Sequence, residues 1–307
     1  MKNPSLLIPQ MQIGIDLGGS KIEGIGLEAE TLLAVRRRVA SPRSYAGAID
    51  AITDLVAGIE REAGRPGSVG VGIPGVVSHG TGLVKNANST WLNGRPLLAD
   101  LEARLSRSVR VANDANCFTL SEAIDGAGRA FDTVFGVILG TGVGGGIAIR
   151  QQIHKGPNQI AGEWGHNPLP WMTDEERSTA AACYCGKTGC VETFLSGPGF
   201  ERDYTLLSGR RRTGPEIVSA AAEDDSHGID ALRRYEDRLA RSLAAMINIL
   251  DPDAIVLGGG MSNLPDLTSA VTALLPRYVF SDRVVTRVLL NVHGDSSGVR
   301  GAAWLWP

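Results

Sequence analysis

Residues 183–190, CYCGKTGC, gather three of the chain's four cysteines, and the preceding GEWGHNPLPW (162–171) adds an imidazole at His166. One nitrogen and three thiolates make a closed tetrahedral set suited to structural Zn²⁺, with His166, Cys183, Cys185 and Cys190 as ligands. Disulfides are the competing use of local cysteines, but three leave one odd, and Cys117 lies far away in the sequence. With every position filled by protein, such a metal leaves no place for a reacting water. Its work would be to order and orient a loop. Glu163 and Glu192 bracket the set and are candidates to accept hydrogen bonds from a polyhydroxy ligand.

Three other stretches carry different chemistry. DLGGSK (16–21) supplies the Asp16 carboxylate, backbone amides at Gly18 and Gly19, the Ser20 hydroxyl and the Lys21 ammonium. Those groups can hold Mg²⁺ and phosphates. VRVANDANC (109–117) reads as a short strand running into Asn113 and Asp114. A carboxylate there could be a turn residue, or a general base toward an alcohol with Asn113 as a substrate clamp. GTGVGGG (140–146) contains G-x-G-x-x-G, but a dinucleotide site needs a helix next, and the β-leaning GIAI follows instead.

These residues need elements to position them. QIGIDLGGSKIEGIGL (12–27) and VFGVILGTGVGGGIAI (134–149) both read as strand, glycine turn, strand. The repetition predicts two related domains, each opening with a hairpin whose turn can approach a ligand closely. Residues 229–250 have apolar side chains at helical spacing, from Leu232 to Leu250, and Pro252 ends the run. AIVLGGGMSN (254–263) then predicts a buried strand, a triple-glycine turn suited to an adenosine moiety, and an N-cap at Ser262 or Asn263. Helix, strand, glycine turn and helix make an α/β pattern, in which ligands sit at strand C-termini.

Composition narrows the classes. A net charge of −3 and a pI near 6.0 give no electrostatic footprint for nucleic acid or an anionic membrane. The short basic runs Arg36–Arg38 and Arg210–Arg212 read as solvated faces or loops. No stretch nears the ~20 apolar residues that span a bilayer, and MKNPSLLIPQ lacks a signal-peptide core, so a cytoplasmic location is expected.

IDLGGSK, GIPG (72–75), NDAN, GTGVGGG, GEWGH, the C-x-C-G-x-x-G-C-x-E run at 183–192 and LGGGMSN fall in the order seen in the ROK family. The resemblance spans almost the whole chain. It is closest to that family's bacterial fructokinases through KNANSTWLNGRPL (85–97), AGEWGHNPLPWM (161–172) and HGDSSGVRGAAWLWP (293–307). It implies an actin-like (ribonuclease H-like) α/β fold with two domains, 1–117 plus 293–307 and 118–292, and ATP and sugar in the cleft between them. It also implies an ATP-dependent hexose kinase acting on the 6-hydroxyl of fructose and secondarily of mannose, with glucose, N-acetylglucosamine or N-acetylmannosamine as the alternatives.

The same resemblance distributes the roles. Asp114 would take the proton of the attacking hydroxyl; Asn113, Glu163, His166, Glu192, Pro74 and Gly75 would bind sugar, His166 with the ring nitrogen not given to zinc. Asp16 would hold Mg²⁺, while Gly18, Gly19, Ser20, Lys21, Thr141 and Gly142 would surround the phosphates. Gly258, Gly259 and Gly260 would line the nucleotide pocket. Kinship further implies a homodimer. Two other classes are the alternatives: a sugar-responsive repressor, for which the ten residues ahead of MQIGIDLGG are too short to hold a DNA-binding helix-turn-helix, and a nicotinamide oxidoreductase resting on Gly140, Gly142 and Gly145. Met11 is a candidate initiator, and residues 1–10 are expected to be disordered.

Overall fold

Alternating apolar residues build the first strands, and glycine turns reverse them. In chain order the first elements are β1 (Met11–Leu17), β2 (Lys21–Glu28), β3 (Leu32–Ala40), α1 (Tyr45–Ala63), β4 (Gly67–Ile73), β5 (Val76–Val77) and β6 (Val84–Lys85). They continue with α2 (Leu97–Leu105), β7 (Val109–Asn113) and α3 (Asp114–Ile124). The computed structural model describes residues 11–28 and 32–306, so the expectations for residues 1–10 lie outside the described residues.

A second run follows: β8 (Thr133–Leu139), β9 (Val143–Ile149), β10 (Gln152–Ile153), α4 (Asp174–Ser178), α5 (Glu192–Leu195), α6 (Gly197–Ser208), α7 (Gly214–Ala222) and α8 (Ser226–Leu250). It ends with β11 (Ala254–Gly258), α9 (Leu267–Leu274) and β12 (Arg287–Leu290), before α10 (Ser297–Ala303) closes the chain. Among the described residues, no helix is long and apolar enough to cross a membrane.

The chain divides into two compact units: residues 1–124 with 155–161 and 295–307, and residues 125–154 with 162–294. The first unit therefore runs through α3 to Ile124 instead of stopping at 117. The reason is packing, because α10 lies against α3 and the first sheet. Glycines permit that closeness: a Cβ on Gly14 of β1 would run into the Val299 carbonyl, one on Gly70 of β4 into that of Ala302, and one on Gly301 into that of Cys117.

In the first unit the five-stranded order is β3-β2-β1-β4-β7, with β1 antiparallel to β2 and parallel to β4. Ile13, Ile15, Ile22, Val69 and Val71 fill its core together with Ile52, Leu55 and Ile59 of α1. The run Arg36–Arg38 on β3 is more than a solvated face. Arg36 and Arg38 clasp Glu23 of β2, each at 2.6 Å, and Glu23 is only 1% exposed. Arg37, pointing the other way, pairs with Glu62.

The second unit repeats the first topology as β10-β9-β8-β11-β12. The helix expected over 229–250 begins slightly earlier, at Ser226, and buries Tyr235, Leu239, Leu243 and Ile247. It also buries two arginines. Arg238, 2% exposed, reaches Glu176 at 2.8 Å and Asp203 at 2.9 Å, and Arg241 reaches Glu176 at 2.7 Å. Burial alone would push the Glu176 carboxyl up, but Arg241 and Arg238 together draw it down to about 2. Glu176 also closes a capping box with Thr173 at the start of α4. Meanwhile Arg241 donates to the carbonyls of Pro170 and Trp171, so α8 grips the chain just beyond GEWGH.

Candidate functional site

The turn between β1 and β2 is closed by Gly18, whose N–H donates to the Lys21 carbonyl at 3.0 Å, leaving Gly19 and Ser20 exposed. Asp16 lies just before it at the end of β1, opposite Glu23. Burial first, then the charges of Asp114 and Glu23, push the Asp16 carboxyl up to about 7 against the pull of Lys21. Glu23 is already paired with Arg36 and Arg38, so Asp16 and Asp114 are the carboxylates whose like charge a divalent cation would relieve. Gly298, at the start of α10, also stands against Asp16, since a Cβ there would come to 3.6 Å of its carboxylate.

Asp114 is the first residue of α3, directly after β7, which runs parallel to β4. Its Oδ1 accepts the Ala115 N–H at 2.8 Å. Asn113 serves the helix: its amide oxygen accepts from Ala115 and Asn116, at 2.9 and 3.3 Å. The Asn113 oxygen thus caps a helix, and its NH₂ is the end left for a ligand. Pro74 and Gly75 turn the chain after β4. Gly75 has φ +145°, and a Cβ there would meet Ala87 at 2.9 Å.

In the second unit β8 and β9 are antiparallel, so G-x-G-x-x-G is a hairpin turn and no helix follows it. A dinucleotide pyrophosphate would find no helix N-terminus there, which removes the oxidoreductase reading. The hairpin has a partner the sequence did not announce. Glu192 Oε2 accepts the Val143 N–H at 3.0 Å, and a Cβ on Gly142 would come within 2.8 Å of the same oxygen. Thr141 is exposed at the tip. Gly197, at the start of α6, donates to the Gly140 carbonyl at 2.8 Å.

Gly258 ends β11, and Gly259 follows at φ +83°, crowded against the backbone of Leu139. The next residues do not cap a helix as expected. Gly260–Asn263 forms a 3₁₀ turn, the Ser262 hydroxyl bonds back to the Gly259 carbonyl at 2.7 Å, and α9 starts only at Leu267. The hydroxyl found a carbonyl one turn back before it could meet the next helix's amides.

The histidine and cysteines converge. His166 sits on a 3₁₀ turn, Trp164–His166, anchored by the Trp164 indole N–H donating to Gly144 of β9 at 2.9 Å. A short ladder then brings the cysteine loop alongside. Val191 N–H donates to Asn167 at 2.9 Å, and Leu169 N–H to Gly189 at 3.0 Å. Gly186 and Gly189, at φ +87° and +76°, let the loop fold back on itself.

The ligand atoms of His166, Cys183, Cys185 and Cys190 lie within 4.8 Å of one another. Cys183 Sγ is 3.6 Å from His166 Nδ1, and Cys185 Sγ is 3.6 Å from Cys190 Sγ. Zn–S bonds of ~2.3 Å give tetrahedron edges of about 3.8 Å, so the donor set fits a tetrahedral soft-metal site. The other ring nitrogen, Nε2, lies 3.0 Å from the Tyr184 hydroxyl. Glu163 is exposed beside this cluster, and Glu192 Oε1 is 3.9 Å from Cys183 Sγ. Sequence reasoning missed Tyr184 and Glu23. The only signal for Tyr184 is its place between two cysteines of the cluster, and for Glu23 its lying two residues from Lys21.

Comparison with known proteins gives this arrangement a context. The sequence model of the ROK family matches residues 12–307. The N-acetyl-D-glucosamine kinase of Escherichia coli O1:K1 is 41% identical over 299 residues, covering 96% of this chain and 99% of the relative. That of Vibrio cholerae is 38% identical over the same shares. Among solved structures, a ROK hexokinase from Thermus thermophilus has a TM-score of 0.85 at 27% identity, covering 96% of this chain and 97% of that one. A ROK family glucokinase from Streptomyces griseus, in complex with glucose and AMPPNP, has a TM-score of 0.77 at 29% identity, covering 96% and 98%.

Proposed function

Since the chain belongs to the ROK family and has its actin-like ATPase fold, we propose that it is an ATP-dependent kinase that phosphorylates the 6-hydroxyl of a hexose. One observation carries the chemistry: Asp114 stands at a strand–helix junction within electrostatic reach of Asp16, beside an exposed glycine turn. In this reading Asp114 accepts the proton of the attacking hydroxyl. Asp16 helps hold the Mg²⁺ that screens the phosphates, and so would answer the like charge that raises its own carboxyl. Gly18, Gly19, Ser20, Lys21, Thr141 and Gly142 approach the phosphates, and Gly258–Gly260 the adenosine.

Asn113, Glu163, His166, Glu192, Pro74 and Gly75 serve the sugar. Glu192 then has a divided role, one oxygen holding the Val143 amide and the other left for a hydroxyl. Zinc on His166, Cys183, Cys185 and Cys190 would keep this loop in shape. By kinship the working protein is a homodimer.

The relatives support N-acetyl-D-glucosamine as the sugar, through 41% identity across nearly the whole of both chains. The fructose expectation finds no support among the relatives and structures named above. It remains a second reading because residues 85–97, 161–172 and 293–307 resemble fructokinases. A coupled ADP-release assay with Mg²⁺-ATP tests both, using N-acetylglucosamine, fructose, mannose, glucose and N-acetylmannosamine. Turnover greatest with N-acetylglucosamine is expected; a preference for fructose would reinstate the second reading, and silence across the panel with folded, zinc-loaded protein would sink the kinase.

A further inference from the structure

We propose that Ser89 is a catalytic residue whose hydroxyl donates a hydrogen bond to the phosphoryl group as it passes from ATP to the sugar. The inference rests on the kinase reading above and deepens it, because it adds a side chain from outside the hairpin to the phosphate turn. Ser89 lies in the stretch KNANSTWLNGRPL, within the first unit and 70 residues from Gly19.

The chain around Ser89 is tied down on both sides. Val84 N–H donates to the Arg95 carbonyl at 2.9 Å and Gly94 N–H to the Val84 carbonyl at 2.8 Å, which closes the loop between β6 and α2. Inside it the Asn93 side chain clasps Ala87, its oxygen accepting the Ala87 N–H at 2.9 Å and its NH₂ donating to the Ala87 carbonyl at 3.0 Å. Leu92 is fully buried and anchors the far end. A loop braced in this way gives its side chains a defined direction.

Two contacts set that direction. Ala87 stands against Gly75, where a Cβ would meet it at 2.9 Å, so one end of the run borders the turn expected to bind sugar. Two residues on, Ser89 stands against the phosphate turn. A Cβ on Gly19 would come to 3.8 Å of Ser89 Oγ and would meet nothing else within 4 Å. An anion resting on the exposed Gly19 backbone would therefore have the Ser89 hydroxyl as its neighbour.

The hydroxyl is also unused. Ser89 directly precedes the 3₁₀ turn Thr90–Leu92, a place where a serine oxygen commonly accepts a backbone N–H, yet its side chain makes no capping bond. Oγ has no other hydrogen-bond partner among the described residues. In the transfer, the sugar 6-oxygen bonds to the γ-phosphorus, the bond to the β–γ bridging oxygen breaks, and the sugar hydroxyl's proton goes to Asp114. Ser89 keeps its own proton. Lying between the sugar turn and the phosphate turn, it donates to an oxygen of the group in flight, where charge is concentrated and a fixed donor counts most.

Ser89→Ala in the full-length protein tests this by steady-state kinetics and calorimetry. Losing a hydrogen bond to a charged group should lower kcat roughly ten- to hundredfold, with the sugar KM within about threefold. With sugar present, Mg²⁺-AMPPNP should bind roughly three- to tenfold more weakly, whereas Mg²⁺-ADP, which lacks the γ-phosphoryl, should bind as it does to wild type. Ser89→Thr keeps the hydroxyl and should return kcat to within about threefold of wild type. A loss of kcat below about tenfold in S89A overturns the proposal. So do equal losses in S89A and S89T, or a weakening shared equally by ADP and AMPPNP, because Ser89 would then act only through the shape of its loop. If wild type turns over no sugar of the panel, the kinase reading falls and takes this one with it; an active wild type with an indifferent S89A removes this inference alone.

Discussion

The two units share one sheet plan, three antiparallel strands followed by two parallel ones, yet their glycine hairpins are equipped differently. The first hairpin carries its own charge: Asp16 and Lys21 flank the turn, and Glu23 stands opposite Asp16 on β2. The second has only Thr141 among glycines, and its charge comes from Glu192, some fifty residues on, through the bond to Val143. The third strands differ as well. β3 is long and pins its arginines on Glu23, whereas β10 is two residues, after which the chain goes on to the histidine and cysteine loop. A hairpin is a scaffold that brings a backbone close to a ligand. What chemistry it serves is decided by the side chains placed around it.

If the first unit supplies charge for the reaction and the second supplies shape for the ligand, damage to each should read out differently. Asp114→Asn should lower kcat by at least about a thousandfold while sugar affinity stays within a few-fold, measured by steady-state kinetics beside calorimetric titration. Turnover within tenfold of wild type would break the assignment of charge to the first unit.

The second unit's shape depends on buried charge. Glu176→Gln leaves Arg238 and Arg241 short of a counter-charge and should cost about 3–5 kcal/mol in denaturant unfolding at neutral pH. The pH dependence has a fixed sign. A carboxyl drawn from 4.5 in the unfolded chain to about 2 in the native one stabilises fully above 4.5, and that contribution is lost as pH falls from 4.5 toward 2. Wild type should lose more stability than the variant across that window; parallel curves would show that the pair is not coupled to folding.

Stripping zinc with a chelator should weaken sugar binding about tenfold or more before ATP binding suffers, as followed by calorimetry with each ligand separately. Equal loss of both would mean that the metal supports the whole second unit. The smallest effect sharpens the contrast between hairpins. Gly142→Ala meets the Glu192 carboxylate at 2.8 Å, whereas Gly19→Ala meets only the Ser89 hydroxyl at 3.8 Å. The first should cost about 1–3 kcal/mol in thermal unfolding and the second under about 0.5. Similar values for both would deny that Glu192 braces the second turn.

What could be read along the chain was whatever local geometry fixes. Alternation around glycines was enough for both hairpins, and apolar spacing was enough for α8, because a strand or helix face is set by neighbours a few residues apart. The candidate metal cluster was legible for the same reason: Cys183, Cys185 and Cys190 lie in one turn-rich loop, and His166 precedes it by one excursion of the chain. The division of the units was less legible. It depends on α10 returning to α3 across residues 124–297, an approach written only as single glycines at positions 14, 70 and 301.

The sequence by itself thus determined the element types, the family resemblance and the candidates for the reactive groups. The tertiary structure decided which partner each group keeps: the Val143 amide for Glu192, the two β3 arginines for Glu23, α3's own amides for Asn113, and the phenol of Tyr184 for the imidazole of His166. A side chain's type fixes what it can donate or accept. Which donor or acceptor comes within 3 Å depends on how distant segments pack, and no spacing along the chain records that distance.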